Sequence, residues 1–112
     1  MIIIDAALDE EGLLVFCSAE GHARAGPKGS DVVCASVSVL MRTAFRIFLN
    51  REGIKFRGKA PERGVFWLET DCTAEGREFL AAAGTFLLEG LRSIAQEYPD
   101  YCFMTTHTER RK

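Results

Sequence analysis

The sequence predicts an α+β fold, a two-layer sandwich in which two helices cover a mostly antiparallel sheet of about five strands, in the order ββ-α-ββ-α-β. Three observations predict it. Short runs rich in β-branched and aromatic residues are joined by turn residues, which indicates hairpins and therefore antiparallel pairs. Two long segments repeat apolar residues every three or four positions, as amphipathic helices do. Such helices need an apolar surface to cover, and the face of a sheet supplies one.

The first hairpin occupies the first twenty residues or so of the chain. Met1 to Ala7 contains three consecutive isoleucines and is predicted to be a strand, and Leu13 to Ala19 returns as the second strand. Gly12 ends the acidic connection between them, where it can adopt a positive φ. Gly21 ends the hairpin, and His22 follows directly.

The first long helix follows a loop predicted over Ala23 to Gly29, whose glycines and proline break helices and strands. Ser30 or Asp31 is predicted to cap the helix, which runs to about Arg51 and stops at Gly53. The buried stripe is predicted from the apolar residues at helical spacing, which are Val33, Val37, Leu40, Met41, Ala44, Phe45, Phe48 and Leu49.

A looser hairpin is predicted after this helix. Its strands are Ile54 to Arg57 and Val65 to Glu69, and the connection Gly58 to Gly64 contains Pro61. Antiparallel pairing of these two strands extends the sheet.

The second helix is predicted to start at Thr73 as N-cap and to end before Pro99, and Tyr101 to Thr106 forms the last strand. Gly84 and Gly90 each lower its intrinsic stability by about 1 kcal/mol relative to alanine. We therefore expect both glycines at close contacts with the sheet or the other helix. Its buried stripe is predicted to comprise Phe79, Leu80, Ala83, Phe86, Leu87, Leu91, Ile94, Ala95 and Tyr98.

Length and charge limit the classes of function. With 112 residues, 47% of them hydrophobic and 27% charged, the chain has the balance of one globular domain spanning residues 1–112. A net charge of -2 argues against a nucleic-acid-binding surface, which concentrates lysine and arginine. The one basic cluster, Arg110-Arg111-Lys112, is expected to be a solvated tail.

The compartment is expected to be the cytoplasm. No signal-peptide pattern appears at the N-terminus, and the apolar runs are too short to span a membrane. The four cysteines are then expected to be free thiols. A metal site built from Cys17, His22 and Cys34 is conceivable, but it lacks compact ligand spacing and a fourth ligand, so neither metal nor cofactor is expected.

The stretch from Glu20 to Ser38 carries the candidate reactive residues. If Asp31 caps the helix, Cys34 is the third helical residue, where unpaired N–H groups favour a thiolate and can bind an oxyanion. His22 can take the proton of the thiol. Ser38 lies one turn after Cys34 on the same face, and Gly21 allows a sharp turn into His22.

Other interpretations of these residues remain open. A cysteine near a helix start is most often a small buried hydrophobe, and a histidine after a strand is most often a surface residue. Ser38 can bond to the carbonyl four residues earlier, and Asp31 can be only an N-cap. Composition and spacing favour the buried-thiol interpretation of Cys34.

Two motifs reverse that preference. The run Gly21-His22-Ala23, followed by Asp31-Val32-Val33-Cys34-Ala35-Ser36-Val37-Ser38, resembles the paired signature of the bacterial ribosomal-processing cysteine protease family Prp. That family has Gly-His-Ala and Asp-Ile-Val-Cys-Ala-Ala-Val-Ser, separated by a glycine-bearing loop. The present chain differs at Val32 and Ser36, and the length and order of elements are also similar.

The resemblance implies a cytoplasmic cysteine endopeptidase. It would remove a phenylalanine-rich N-terminal extension from a bacterial large-subunit ribosomal protein, the twenty-seventh in the usual count, during ribosome assembly. Cys34 would be the nucleophile and His22 the general base and acid, with Gly21, Asp31 and Ser38 in supporting roles. The family is typically homodimeric. The alternative is a non-catalytic ribosome-assembly or binding module of the same fold.

Overall fold

The computed structural model describes residues 1–21, 28–60 and 65–111, with the side chains of 28–30 left aside. The order ββ-α-ββ-α-β is confirmed. The elements are β1 (Ile2–Leu8), β2 (Leu14–Glu20), α1 (Lys28–Phe48), β3 (Ile54–Lys59), β4 (Phe66–Cys72), a 3₁₀ turn (Ala74–Gly76), α2 (Arg77–Glu97) and β5 (Cys102–Thr108).

The five strands form one sheet in the order β3-β4-β2-β1-β5. Both hairpins pair antiparallel, and β2 pairs antiparallel with β4, so the predicted mostly antiparallel sheet is confirmed. The exception is β5, which pairs in parallel with β1 from Ile2↔Cys102 to Leu8↔Thr108. This strand follows α2, and a helical crossover is the connection that returns a chain to a parallel partner. As a result β2 is the central strand of the sheet.

The buried stripe of α1 agrees with its prediction over most of its length. Val33, Met41 and Phe48 are fully buried against the sheet. The prediction was wrong for Leu49, which is 58% exposed. The helix ends at Phe48 and the chain turns through Asn50, whose φ of 60° is left-handed, so Leu49 has already left the helical face.

The stripe predicted for α2 was wrong at one aromatic residue. Phe86 is 74% exposed, whereas Leu88, which was not in the stripe, is buried. The line of closest approach runs through Leu80, Gly84 and Leu91, and Phe86 lies two residues from Gly84, about 200° around the helix. Periodicity placed Phe86 on the stripe because it is three residues after Ala83, on the margin of that face.

The two glycines of α2 have the close contacts expected of them. A Cβ at Gly84 would lie 3.1 Å from the Cβ of Leu14 on β2. A Cβ at Gly90 would lie 3.0 Å from Cδ1 of Leu40 on α1. The missing side chains therefore let α2 approach the sheet and the first helix. Thr73 precedes the 3₁₀ turn rather than α2, and its side chain makes no capping hydrogen bond.

The basic tail, predicted to be solvated, is exposed at one arginine and partly buried at the next. Arg110 is exposed as predicted, with 87% of its side chain accessible, and Lys112 lies outside the described residues. For Arg111 the prediction was wrong, because its side chain folds back on the sheet and is only 25% exposed. Within the described ranges, neither helix is apolar enough over a sufficient length to cross a membrane.

Candidate active site

The segment that leads into the candidate site begins at Gly21, where the chain leaves β2. Gly21 has a φ of 117°, which L side chains rarely adopt. A Cβ there would lie 2.3 Å from the carbonyl oxygen of Met1. Only glycine fits this position, so the backbone of β1 and the end of β2 fix where the following residue starts. That residue is His22, which lies outside the described residues, as do residues 23–27.

The candidate nucleophile lies farther inside α1 than predicted. The helix begins at Lys28, so Cys34 is in its second turn rather than at its third residue. Only the first four N–H groups of a helix lack intrahelical partners, and the amide of Cys34 lies beyond them. The predicted loop up to Gly29 was too long because Lys28 and Gly29 are already helical. Proline is compatible with a helix start, so Pro27 was not evidence for a longer loop.

The early helix start also changes the place of Asp31. It is an exposed acid in the first turn of α1 rather than the N-cap. An acid there still interacts favourably with the positive end of the helix dipole, by about 0.3–1 kcal/mol. Asp31 is therefore a first-turn acid, three residues before Cys34.

The thiol of Cys34 is half-buried, unlike that of a core cysteine. Its neighbour Val33 is fully buried, and Cys34 lies about 100° further around the helix, at the edge of the core. Cys17 shows the contrast: it is 0% exposed, and burial, with a smaller contribution from Asp5, raises its pKa to about 12. Cys102 is also buried, and burial raises the pKa of its thiol. Cys34 is therefore less buried than the two core cysteines.

The packing of α1 shows which way the Cys34 side faces. Leu40, on one flank, packs against α2. Phe45, on the other flank, meets Phe56 of β3 edge-to-face, with ring centroids 5.1 Å apart. Cys34 lies eleven residues before Phe45, which is almost three whole turns, or about 16 Å along the same line of the helix. The thiol therefore faces the side of the sheet formed by β4 and β3, away from α2.

The same flank carries Ser38 and Arg42, at one and two turns after Cys34. Ser38 is half-buried. The back-bond to the fourth preceding carbonyl, considered for Ser38, is made by Ser36, whose hydroxyl donates to the Val32 oxygen at 2.7 Å. Sequence reasoning gave Arg42 no role, although the spacing of four residues places it on this flank. Its guanidinium lies 5.0 Å from the ring centroid of Phe66, the first residue of β4.

Cys17, one of the two cysteines of the conceivable metal site, points into the core. The sulfur of Cys17 lies in the core, 3.9 Å from the sulfur of Met41, and its raised pKa disfavours the thiolate that a metal would need. Among the described residues, no three histidine, cysteine, aspartate or glutamate side chains are grouped as metal ligands.

Comparison with known proteins places these residues in a wider context. The sequence model of the family described as cysteine protease Prp matches residues 1–103, a range that contains both motifs. A search of curated proteins gave no significant match.

Solved structures give a consistent likeness of fold. The essential ribosomal processing protease Prp of S. aureus, in complex with a substrate peptide, has a TM-score of 0.78 and 20% identity, over 95% of this chain and 99% of that chain. The S. aureus protease with a covalently linked product peptide has a TM-score of 0.77 at the same identity and coverage. SMU.848 from Streptococcus mutans has a TM-score of 0.78 and 22% identity, over 97% of this chain and 96% of that chain.

Proposed function

Because the chain belongs to the cysteine protease Prp family and is therefore a cysteine protease, we propose that Cys34 is its nucleophile and His22 its general base and acid. The observation that carries this assignment is that Cys34 is only partly buried and lies within the family-matched segment. Cys17 and Cys102 are buried in the core. Cys72 is also half-buried, but it ends β4. It lies about 20 Å along the strand from Phe66, the β4 residue that contacts Arg42 on the flank of α1 carrying Cys34.

The proposed reaction is acyl transfer in two steps. His22 removes the proton of the Cys34 thiol, and the thiolate attacks the scissile carbonyl carbon. The carbon–nitrogen bond then breaks as His22 returns the proton to the leaving amine, which leaves the acyl group on sulfur as a thioester. Water, deprotonated by His22, attacks the thioester, and the acid product and the free thiol are released.

The helix start revises the expected oxyanion contacts. An amide at Cys34 itself was expected to be unpaired, but in a helix that begins at Lys28 the amide of Cys34 lies beyond the first four N–H groups. We therefore leave the amide of Cys34 out of the proposed oxyanion contacts.

The supporting roles follow from position. Gly21 fixes the start of the segment that carries His22, because no larger residue fits against the Met1 carbonyl. Asp31 stabilises the start of α1 through the helix dipole. Ser38 lies about 6 Å along the helix from Cys34 on the same flank and is proposed to contact the bound peptide.

The proposed substrate is a bacterial large-subunit ribosomal protein, the twenty-seventh in the usual count, with a phenylalanine-rich N-terminal extension. The support is the family and the likeness of fold to a ribosomal processing protease that binds a substrate peptide. Ribosome assembly takes place in the cytoplasm, which is the compartment proposed for this protein.

We also propose that two copies form a homodimer through the face of the sheet that α1 and α2 leave uncovered. Large apolar side chains are exposed there, with Ile3 at 43% and Phe103 at 55%. The edge strand β3 of this face carries exposed cations at Lys55, Arg57 and Lys59. Toward β5, the open face carries acids that flank His107, whose Nδ1 lies 3.4 Å from Asp5.

A two-fold axis that lies between the two sheets, parallel to the central strand, would place β3 of one copy across from β5 of the other. The cations of one copy would then face the acids of its partner, twice per dimer. Analytical ultracentrifugation should give twice the mass of one chain, and Arg57→Glu should weaken the dimer. Arg46→Glu, an equivalent change on the outer side of α1, should not. A monomer at micromolar concentration, or equal effects of the two changes, would contradict this interface.

The catalytic proposal is tested by incubating the protein with the extended ribosomal protein and measuring the mass of the products. The parent should release the extension, and Cys34→Ala should not. Cys72→Ala is the matched control because it removes the other half-buried thiol, and it should cut normally. Cleavage by Cys34→Ala at the parent rate would show that the nucleophile is wrong. Binding of the ribosomal protein by the parent without cleavage would favour the non-catalytic module.

A second test uses the thiols themselves. Cys34 should alkylate with iodoacetamide at pH 6–7 faster than Cys72, and His22→Gln should remove the difference. Peptide mapping by mass spectrometry assigns the label to each cysteine. Equal rates in the parent would remove the support for a histidine-activated thiol.

A further inference from the structure

The guanidinium of Arg111 lies among four acceptors at one end of the sheet. Its Nε donates to Oδ2 of Asp9 at 3.0 Å. Its Nη1 donates to the carbonyl of Thr70 at 3.1 Å and lies 3.2 Å from Oδ1 of Asp71. Its Nη2 donates to the carbonyl of Leu14 at 3.2 Å. All three nitrogens of one side chain are thus used, each in a different direction.

The two backbone acceptors lie where the ladder between β2 and β4 ends, next to an irregularity in β2. The register between β1 and β2 shifts so that Val15 has no partner on β1, which makes it the extra residue of a β-bulge. The ladder between β2 and β4 ends next to it, at the pair Phe16 and Glu69. Beyond that pair, the carbonyl of Leu14 accepts from the hydroxyl of Thr70 at 2.7 Å. Arg111 supplies the further donors that these strand ends need.

The carboxylate of Asp9 is also held by hydrogen bonds that do not involve the arginine. Asp9 is only 6% exposed. Its Oδ1 accepts from the amides of Glu11 and Leu13, both at 2.9 Å, which holds the turn between β1 and β2. Its Oδ2 is directed to Arg111. A buried carboxylate is costly without a cation, so this oxygen needs the guanidinium.

We propose that Asp9, Asp71 and the carbonyls of Leu14 and Thr70 form a guanidinium-binding site whose ligand is Arg111 of the same chain. The tail after β5 thereby acts as a strap that closes the open end between β2 and β4. The site selects a guanidinium over an ammonium, because a lysine nitrogen is a single point and cannot reach acceptors on three sides. Arg111 follows the last residue that the family comparison matches, residue 103.

The strap is independent of the proposed catalysis. Leu14 and Glu20 are the two ends of β2, so the guanidinium site lies about 20 Å from the end that leads to His22. The test therefore measures stability and rescue rather than peptidase activity, and its outcome does not depend on the proposed catalytic residues.

The first experiment compares the thermal midpoints of Arg111→Ala, Arg111→Lys and Arg110→Ala by circular dichroism. Arg110 is the matched control, since it is the adjacent arginine and its side chain is 87% exposed. Arg111→Ala should lower the midpoint by about 5–10 °C. Arg111→Lys should recover only a small part of the loss, and Arg110→Ala should melt with the parent. Equal midpoints for the two alanine variants, or full recovery by lysine, would overturn the site.

The second experiment supplies the missing group from solution. Guanidinium chloride at a few tens of millimolar should raise the midpoint of Arg111→Ala, whereas the same concentration of sodium chloride should not. The parent, whose site is filled by Arg111, should show no rise. Absence of rescue, or equal rescue by both salts, would show that the four acceptors do not form a guanidinium site.

Discussion

Replacement of Gly21 by alanine tests the geometry that places the start of the His22 segment. The alanine Cβ would lie 2.3 Å from the Met1 carbonyl oxygen. That carbonyl belongs to the same peptide unit as the amide of Ile2, which donates to the Tyr101 oxygen at 2.8 Å. The carbonyl cannot rotate away without breaking this bond, so the strain must be taken up by the end of β2 or by β1.

The magnitude has two parts. A non-glycine residue in a rarely populated positive-φ region costs about 1–3 kcal/mol. A contact forced into a well-packed position adds about 1–3 kcal/mol, which gives about 2–6 kcal/mol in total. An entropy of unfolding of about 2.1 cal/mol/K per residue converts each kcal/mol into about 4 °C for a chain of this length. Gly21→Ala should therefore lower the thermal midpoint by about 8–24 °C.

Gly12→Ala is the control that separates these parts. Gly12 also has a positive φ, 83°, but a Cβ there would meet nothing within 4 Å. It should therefore show the backbone strain alone, about 4–12 °C in the midpoint. Both variants are melted by circular dichroism under identical conditions. If Gly21→Ala melts within about 2 °C of Gly12→Ala, the contact with Met1 does not constrain the chain and the reasoning fails.

Three further outcomes are expected. Burial acts to raise the pKa of Asp9, but hydrogen bonds from the Leu13 amide, Arg111 and the Glu11 amide outweigh it and lower the pKa below 3.8. Asp9 therefore stabilises the fold above that pH, and the contribution is lost as pH falls through the lowered value. The midpoints of the parent and Asp9→Asn, measured from pH 7 to pH 2, should differ at pH 7 and converge in acid. Gly84→Ala should lower the midpoint because its Cβ would press on the fixed Cβ of a leucine, whereas Gly90→Ala should be neutral or stabilising because it meets only rotatable methyl groups. Cys17, with a pKa of about 12 and no exposed surface, should react with a thiol reagent at pH 8 only when urea unfolds the protein.

The elements of the fold were predictable because each depends on local pattern. Apolar periodicity located both helices, and turn residues located both hairpins, with end points within a few residues of those observed. The parallel pairing of β5 with β1 was not predictable in the same way. The two strands are separated by almost the whole length of the sequence, and no local signal distinguishes β1 from β3 as the partner of β5. The sheet order followed from packing of the whole chain.

Errors in the predicted stripes have one physical cause. A stripe read from apolar residues alone does not identify the line along which a helix approaches its neighbour. In α2 that line passes through Gly84, which has no side chain to register as apolar. Leu88, next to this line, was missed, and Phe86, on the far side, was included. A glycine in the middle of a helix is the better marker when close packing explains it.

The sequence motifs select the candidate site residues, whose roles stay predictions, but they did not give the local geometry. The paired motifs singled out Cys34, and the structure shows its thiol half-buried on the flank of α1 away from α2. The glycines and proline before the helix suggested a start at Ser30 or Asp31, whereas the helix begins at Lys28. Proline at a helix start loses no hydrogen bond, so composition could not fix the boundary. The proposed oxyanion contacts changed with it.

The central strand links the two regions to which we assign new roles. At one end of β2, Gly21 turns the chain out of the sheet toward His22. At the other end, the ladder between β2 and β4 stops at the pair Phe16 and Glu69, and Arg111 donates to the carbonyl of Leu14 beyond it. Between them β2 is paired on both sides, with β1 and with β4. A strand held on both edges is the most rigid element of a sheet, which explains why the segment carrying the proposed base starts there. It also explains why weakening the strap should lower stability without displacing the start of that segment.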